Sequence, residues 1–256
     1  MLLGWHAEVW ALAVTASLVA GVVRGFTGFG FALILVTAVA VLAPPADIVP
    51  ISVALDLFAG VRLLPHIRGE IDRSGAALMV LGAVPAIPVG ALALAHLDAD
   101  AMRLGIGVAV LLATLAIASG IALKSVPGTG LKLATGAAMG LLSGSAGIPG
   151  PPIILLYLSS PLPVSTLRAT AVAIFLAIDV VALAVMASYG LVTAELLLRC
   201  LLLAPAVEIG QRLGHRFYGV AKPATVTRAA LVLLGALAVV AIGQSVAGWV
   251  AGWVAA

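Results

Sequence analysis

The sequence predicts an all-α polytopic membrane protein made of two inverted repeats, each opening with a Gly-rich broken or re-entrant helix pair followed by three transmembrane helices. Three observations predict it. First, 63% of residues are apolar and only 9% charged, and the mean hydropathy is +1.27; a soluble chain of this size would need polar surface that this one lacks. Second, an offset of 119 residues superimposes the halves: Gly25 meets Gly144, Gly28 meets Gly147 and Pro44 meets Pro163. With one residue inserted, PAIPVG at 85–90 then meets PAVEIG at 205–210. Third, the basic residues fall on alternate connections.

The elements follow in chain order. In the first half, taken as residues 1–125, the broken pair spans 8–23 and 30–43, and segments at 46–64, 74–97 and 101–123 follow. In the second half, residues 126–256, the pair spans 130–142 and 151–160, followed by 165–188, 194–214 and 226–250. Most are long enough for a hydrocarbon core that takes about 20 residues of helix; the members of the second pair are short. A pair that crosses twice, or dips in and returns, leaves an odd number of crossings per half, so the second half enters upside down.

Charge placement agrees. With the N-terminus outside, Arg62, Arg68, Arg73, Lys124, Lys132, Arg168, Arg212, Arg216, Lys222 and Arg228 are cytoplasmic, which leaves only Arg24, Arg103 and Arg199 of the 13 basic residues elsewhere. That is the positive-inside pattern, and it puts both termini on the periplasmic side of an inner membrane. Trp5, Trp10, Trp249 and Trp253 lie near the two ends, where indoles favour the headgroup zone. The start has Glu8 and no basic region before its apolar run, unlike a cleaved signal. One cysteine, Cys200, allows no internal disulfide, no His/Cys/Asp/Glu spacing suits a metal, no cofactor motif is present, and no basic patch suggests nucleic acid. The expected surroundings are a lipid bilayer.

The stretches RGFTGFGFALI at 24–34 and SGSAGIPGPPIILL at 143–156 interrupt helices where spans should run. Non-helical backbone at membrane depth survives only against protein or a wet cavity, so the two breaks are expected to face each other and hold a ligand. Thr27, Gly28, Phe29 and Gly30 in the first break, and Ser143, Ser145, Ala146, Gly147 and Gly150 in the second, read as cups of N–H and hydroxyl donors for an oxyanion. Close helix packing through Gly140 and Gly144 is the simpler alternative, but it does not account for Gly-Ile-Pro-Gly-Pro-Pro. Intramembrane charges are functional candidates because their burial is costly. Arg24 is placed to meet a substrate anion or a carboxylate. Asp56 and Asp179 lie mid-span; Asp179 aligns with Gly60, one turn from Asp56, and the two read either as proton carriers or as salt-bridge partners. Glu208 with Arg212, and Glu195 with Arg199, read as ordinary i,i+4 pairs.

These two motifs, each opening a repeat of about 120 residues, resemble the sulfite exporter TauE/SafE family over essentially the whole chain. The resemblance implies secondary transport of a small anion such as sulfite, sulfoacetate or a related organic acid, and is compatible with a homodimer, although no heptad seam or dominant GxxxG face shows one. Two other classes stay open on the residues alone: a lipid-phosphate phosphatase with re-entrant loops, and a passive anion channel. The first lacks paired carboxylates and an Arg beside a Ser or His nucleophile in either break.

Overall fold

A computed structural model describes residues 3–119, 127–158, 160, 162–217, 239, 242 and 243. All of the expected last span at 226–250 except residues 239, 242 and 243, together with Trp249, Trp253, Lys124, Lys222 and Arg228, lies outside the described residues. Those residues are helical without strands: α1 (Ala7–Thr27), α2 (Phe31–Val39), α3 (Pro45–Ile67), a 3₁₀ turn (Arg68–Glu70), α4 (Arg73–His96), α5 (Ala99–Ala118), α6 (Thr129–Ala146), α7 (Gly150–Leu158), α8 (Val164–Ser188) and α9 (Ala194–Phe217). Ala7–Thr27, Arg73–His96 and Ser165–Ser188 are long and apolar enough to cross a membrane, and the protein is a multi-pass membrane protein.

The interruptions are shorter than the sequence suggests. α1 continues through Arg24 and Gly25 to Thr27 and ends where Gly28 takes a φ of 85°. α6 continues through Gly140 and Gly144 to Ala146 and ends on Gly147, whose φ is 66°. Only residues 28–30 and 147–149 are non-helical. The Gly residues within α6 stay helical because they are packing surfaces: a Cβ on Gly136, Gly140 or Gly144 would run into the backbone of Met79, Ala83 or Ile87 on α4. Gly21 and Gly25 sit in the same way against Val207 and Gln211 of α9. Small residues let backbones approach this closely in membrane bundles, where apolar burial alone drives no association.

These contacts set the architecture. α1 packs on α9 and α6 on α4; α3 crosses α8; α4 also meets α8, as α9 meets α3; and each broken pair, α1 with α2 and α6 with α7, packs on itself. Polar contacts then mark the two ends of the bundle. At one end, Arg199 of α9 donates from Nε to the Leu3 carbonyl at 3.0 Å, pairs with Asp47 of α3 at 3.3 Å and lies 4.6 Å above the Trp5 ring. Arg103 of α5 donates to the Ala40 carbonyl after α2 at 2.7 Å. Thus α1 starts and α2 finishes at the same end. At the other end, Asp72 accepts from the Gly75 N–H at 2.9 Å and from Tyr157 of α7 at 3.0 Å, with Lys132 of α6 at 3.5 Å; its own N–H donates to Thr170 of α8 at 2.9 Å. So α6 starts and α7 finishes at this end. The two broken pairs are helical hairpins entering from opposite ends of the bundle. Trp5, expected at the headgroup level, is buried beneath Arg199.

Candidate functional site

The tips of the hairpins meet. A cavity of about 10 Å³ lies between them, lined by Gly30, Phe31, Ala32 and Leu33 at the start of α2, by Ile148, Pro149 and Gly150 at the start of α7, and by Arg24, Asp56 and Phe175. That volume is about one water's worth.

Both helix starts present donors. The first intrahelical bond of α2 runs from the Ile34 N–H to the Gly30 carbonyl, so the N–H groups of Phe31, Ala32 and Leu33 have no acceptor in their own helix. In α7, Pro151 and Pro152 bring no N–H, and their fixed φ suits a first turn; Gly150 and Ile153 supply what donors there are. Two positive dipole ends are therefore aimed at one small volume.

This corrects the cups expected from sequence. The Gly147 N–H donates to the Ser143 carbonyl at 2.9 Å and the Gly28 N–H to the Arg24 carbonyl at 2.7 Å, so both close the preceding helix. Ser145 and Ala146 lie in the last turn of α6, and the Ser145 hydroxyl donates to the Leu141 carbonyl at 2.8 Å. The Phe29 N–H donates to the Thr27 hydroxyl oxygen at 3.2 Å, which itself donates to a backbone carbonyl of Val23 or Phe29. The donor-bearing groups lie on the downstream helix, not the upstream one, and the signal that finds them is the Pro-Pro pair, which fixes where α7 starts. Of the expected residues, Arg24, Gly30, Gly150 and Asp56 line the cavity. Ser143 is fully buried, and its Oγ has no protein partner.

The charges converge on one side. Arg24, 1% exposed, donates from Nη1 to the Asp56 carboxylate and from Nη2 to the Asp56 carbonyl at 3.3 Å. Its Nε is buried without a partner. Asp179 of α8 lies close to both Asp56 and Arg24, and its Oδ2 is buried with no protein partner. Gly60 makes room for this group: a Cβ there would lie 3.1 Å from Arg24 Nη2 and 2.9 Å from Leu176. One guanidinium thus faces two buried carboxyls. Among the described residues no group of three or more His, Cys, Asp or Glu side chains could hold a metal ion.

Comparison with known proteins bears on the whole of this framework. The family model described as sulfite exporter TauE/SafE matches residues 13–241. The chain is 29% identical over 233 residues to the probable sulfite/organosulfonate exporter TauE of Cupriavidus necator, covering 88% of this chain and 90% of that protein. No solved structure matches. The family match takes in both hairpin tips, Arg24, Asp56 and Asp179, and the chain belongs to the sulfite exporter TauE/SafE family.

Proposed function

We propose that this protein is a proton-coupled secondary transporter of a small oxyanion of the sulfite or organosulfonate class, and that the anion binds between the starts of α2 and α7 beside Arg24. The observation that carries the reading is a buried guanidinium whose Nε lacks a partner, opening on the cavity where two helix N-termini meet. Asp56 and Arg24 satisfy each other while the cavity is empty. An arriving anion competes for Arg24, and a proton on the Asp56–Asp179 pair removes the charge that would repel it. Anion and proton then occupy the site together, which is the elementary requirement of coupling.

Two inverted repeats underlie this reading. Exchanging α1 with α6, α2 with α7, α3 with α8 and α4 with α9 turns the α1–α9 packing into α6–α4, turns α4–α8 into α9–α3, and leaves α3–α8 unchanged. Binding between hairpins at the repeat interface suits alternating access by inverted repeats. The end of the bundle holding Asp72, Arg62 and Arg212 is assigned to the cytoplasm by its basic residues, which puts the N-terminus in the periplasm of an inner membrane. A cavity of about 10 Å³ favours a carrier with a closed interior over an open channel, and both the family and the named relative are exporters by description rather than enzymes.

Purified protein in proteoliposomes tests the proposal. With sulfite, methanesulfonate, sulfoacetate and acetate offered with and without a pH gradient, saturable flux of the sulfur anions driven by the gradient is expected. Flux that is non-saturable, or indifferent to the gradient for every anion, overturns the coupled-carrier reading.

A further inference from the structure

Between the ends of α3 and α9 lies a second recess, about 400 Å³ in volume, away from the central cavity. Arg62, Arg212, His215 and Arg216 line it, with Glu208 the sole lining carboxylate. Glu208 accepts from Arg212 Nε at 2.8 Å and stands 3.7 Å from Arg62, so one negative charge serves three arginines. After Glu208 the sequence contains no Asp or Glu and has further cations at Lys222 and Arg228.

A basic rim alone is what membrane topology requires of a cytoplasmic end. This one differs in being concave and in having a polar floor. Gln211 lines the recess at 7% exposure, donates from Nε2 to the Ala59 carbonyl of α3 at 3.1 Å and has a buried Oε1 with no partner. Its backbone packs directly on Gly25, the neighbour of Arg24, and Ala59 lies one turn from Asp56. The floor of the recess is therefore linked through Gln211 to Gly25 and Ala59.

We propose that this recess is a docking vestibule for a single small oxyanion, a sulfonate or phosphate-type group held by Arg212, Arg216 and Arg62, with Gln211 as the polar step between it and Arg24. Its role as an antechamber rests on the transport reading; its binding chemistry does not. Concave sites lined by one sign of charge raise the local concentration of the opposite sign by about 10-fold to 1,000-fold.

The test is a labelling rate. In a Cys200→Ser, Leu63→Cys protein in nanodiscs, the lining position 63 reacts with anionic sulfonatoethyl methanethiosulfonate or with its cationic trimethylammonioethyl counterpart, and the ratio of the two rates cancels effects on the thiol itself. The ratio should favour the anion, fall with salt and drop about tenfold or more when Arg212→Gln and Arg216→Gln are combined. Should Leu63→Cys not fold, His215→Cys at an exposed lining position gives the same readout. Protection by methanesulfonate in phosphatidylcholine nanodiscs identifies a free anion. Protection only when phosphatidylglycerol is included identifies a lipid headgroup as the source of the oxyanion and overturns the antechamber role. A ratio unmoved by loss of the arginines, with protection by neither, overturns the site. Labelling as expected in a protein that carries no flux counts against the transport reading alone.

Discussion

Arg24 pairs with Asp56 and is proposed to meet the anion, and the two roles separate on substitution. Arg24→Leu leaves the Asp56–Asp179 pair buried without its cation, and breaking a buried pair by removing one partner costs about 3–5 kcal/mol; thermal unfolding in detergent should show a large drop. Arg24→Lys keeps the charge but removes the guanidinium, with the unpartnered Nε and the two Nη donors to Asp56. A lost hydrogen bond to a charged partner is worth about 1.5–3 kcal/mol, so sulfite affinity should fall roughly tenfold to 150-fold with a smaller loss of stability than in Arg24→Leu. Equal affinity in Arg24→Lys and wild type would remove Nε from the binding site. The two aspartates differ as well. Asp179→Asn keeps the Arg24–Asp56 ion pair, so it should fold normally, lose uptake driven by a pH gradient and retain anion counterflow. Asp56→Asn should lose the same coupling and also melt earlier, because it strips Arg24 of its counter-charge. Gradient-driven flux persisting in both variants would place coupling elsewhere.

At the scale of elements, the glycines split into two kinds that sequence alone does not separate. Gly147 takes a positive φ, and a Cβ there would press on Val53 at 3.2 Å. Gly147→Ala should therefore lower stability by about 1–3 kcal/mol of backbone strain, read as a fall in melting temperature, and any loss of transport should follow unfolding rather than precede it. Gly140 and Gly144 are straight-helix positions whose missing side chains let α6 lie on α4. Asp72 is the other organiser. Burial works against its charge, but the Gly75 N–H, Ser74, Tyr157 and Lys132 outweigh it and hold its carboxyl below the usual range. A carboxylate held low in the folded state contributes stability in full above its unfolded pKa near 3.9, and that stability is lost as pH falls through that value toward the lower folded one. Acid unfolding of the wild type should show this loss, and Asp72→Asn should flatten it; an unchanged acid profile would refute the assignment. The spans themselves were legible because hydropathy and Gly/Pro punctuation are local. Register was not. On the proposed two-repeat reading the packing pairs Gly90 with Gly214, since a Cβ on the first would meet Leu141 and Ser145 and on the second Val22 and Phe26. Equivalent positions in α4 and α9 are thus 124 apart, not the 120 that matching Pro85 to Pro205 suggests. A slip of four residues is about one helical turn, which keeps every apolar residue on its face and so leaves no trace in periodicity. Likewise Arg212 and Arg216 read from sequence as a positive-inside signal, Arg212 also as the partner of Glu208, and His215 only as a residue near a span end, because the concavity they line depends on α3.

Among the described residues, the start of the first hairpin is tied by Arg199 with Asp47 and that of the second by Asp72 with Lys132, the arrangement on which the inverted-repeat proposal rests. In a Cys200→Ser background, cysteines replacing Glu70 and His215 should label from the cytoplasm, and those replacing Asp98 and Ser188 from the periplasm. Labelling of positions 70 and 188, which follow α3 and end its counterpart α8, from one side would dismantle the inverted arrangement. The last consequence comes from the size of the central void. Sulfite has four heavy atoms, and a space suited to one water admits it only if the hairpin tips separate. On the proposed site, loading would then swell the protein, and stripping water from a charged solute adds to the volume, since water packs more densely around ions than in bulk. Compression should accordingly oppose loading: sulfite affinity measured under hydrostatic pressure should decline as pressure rises, and an anion site that fills without a change in volume would mean that the tips were never closed.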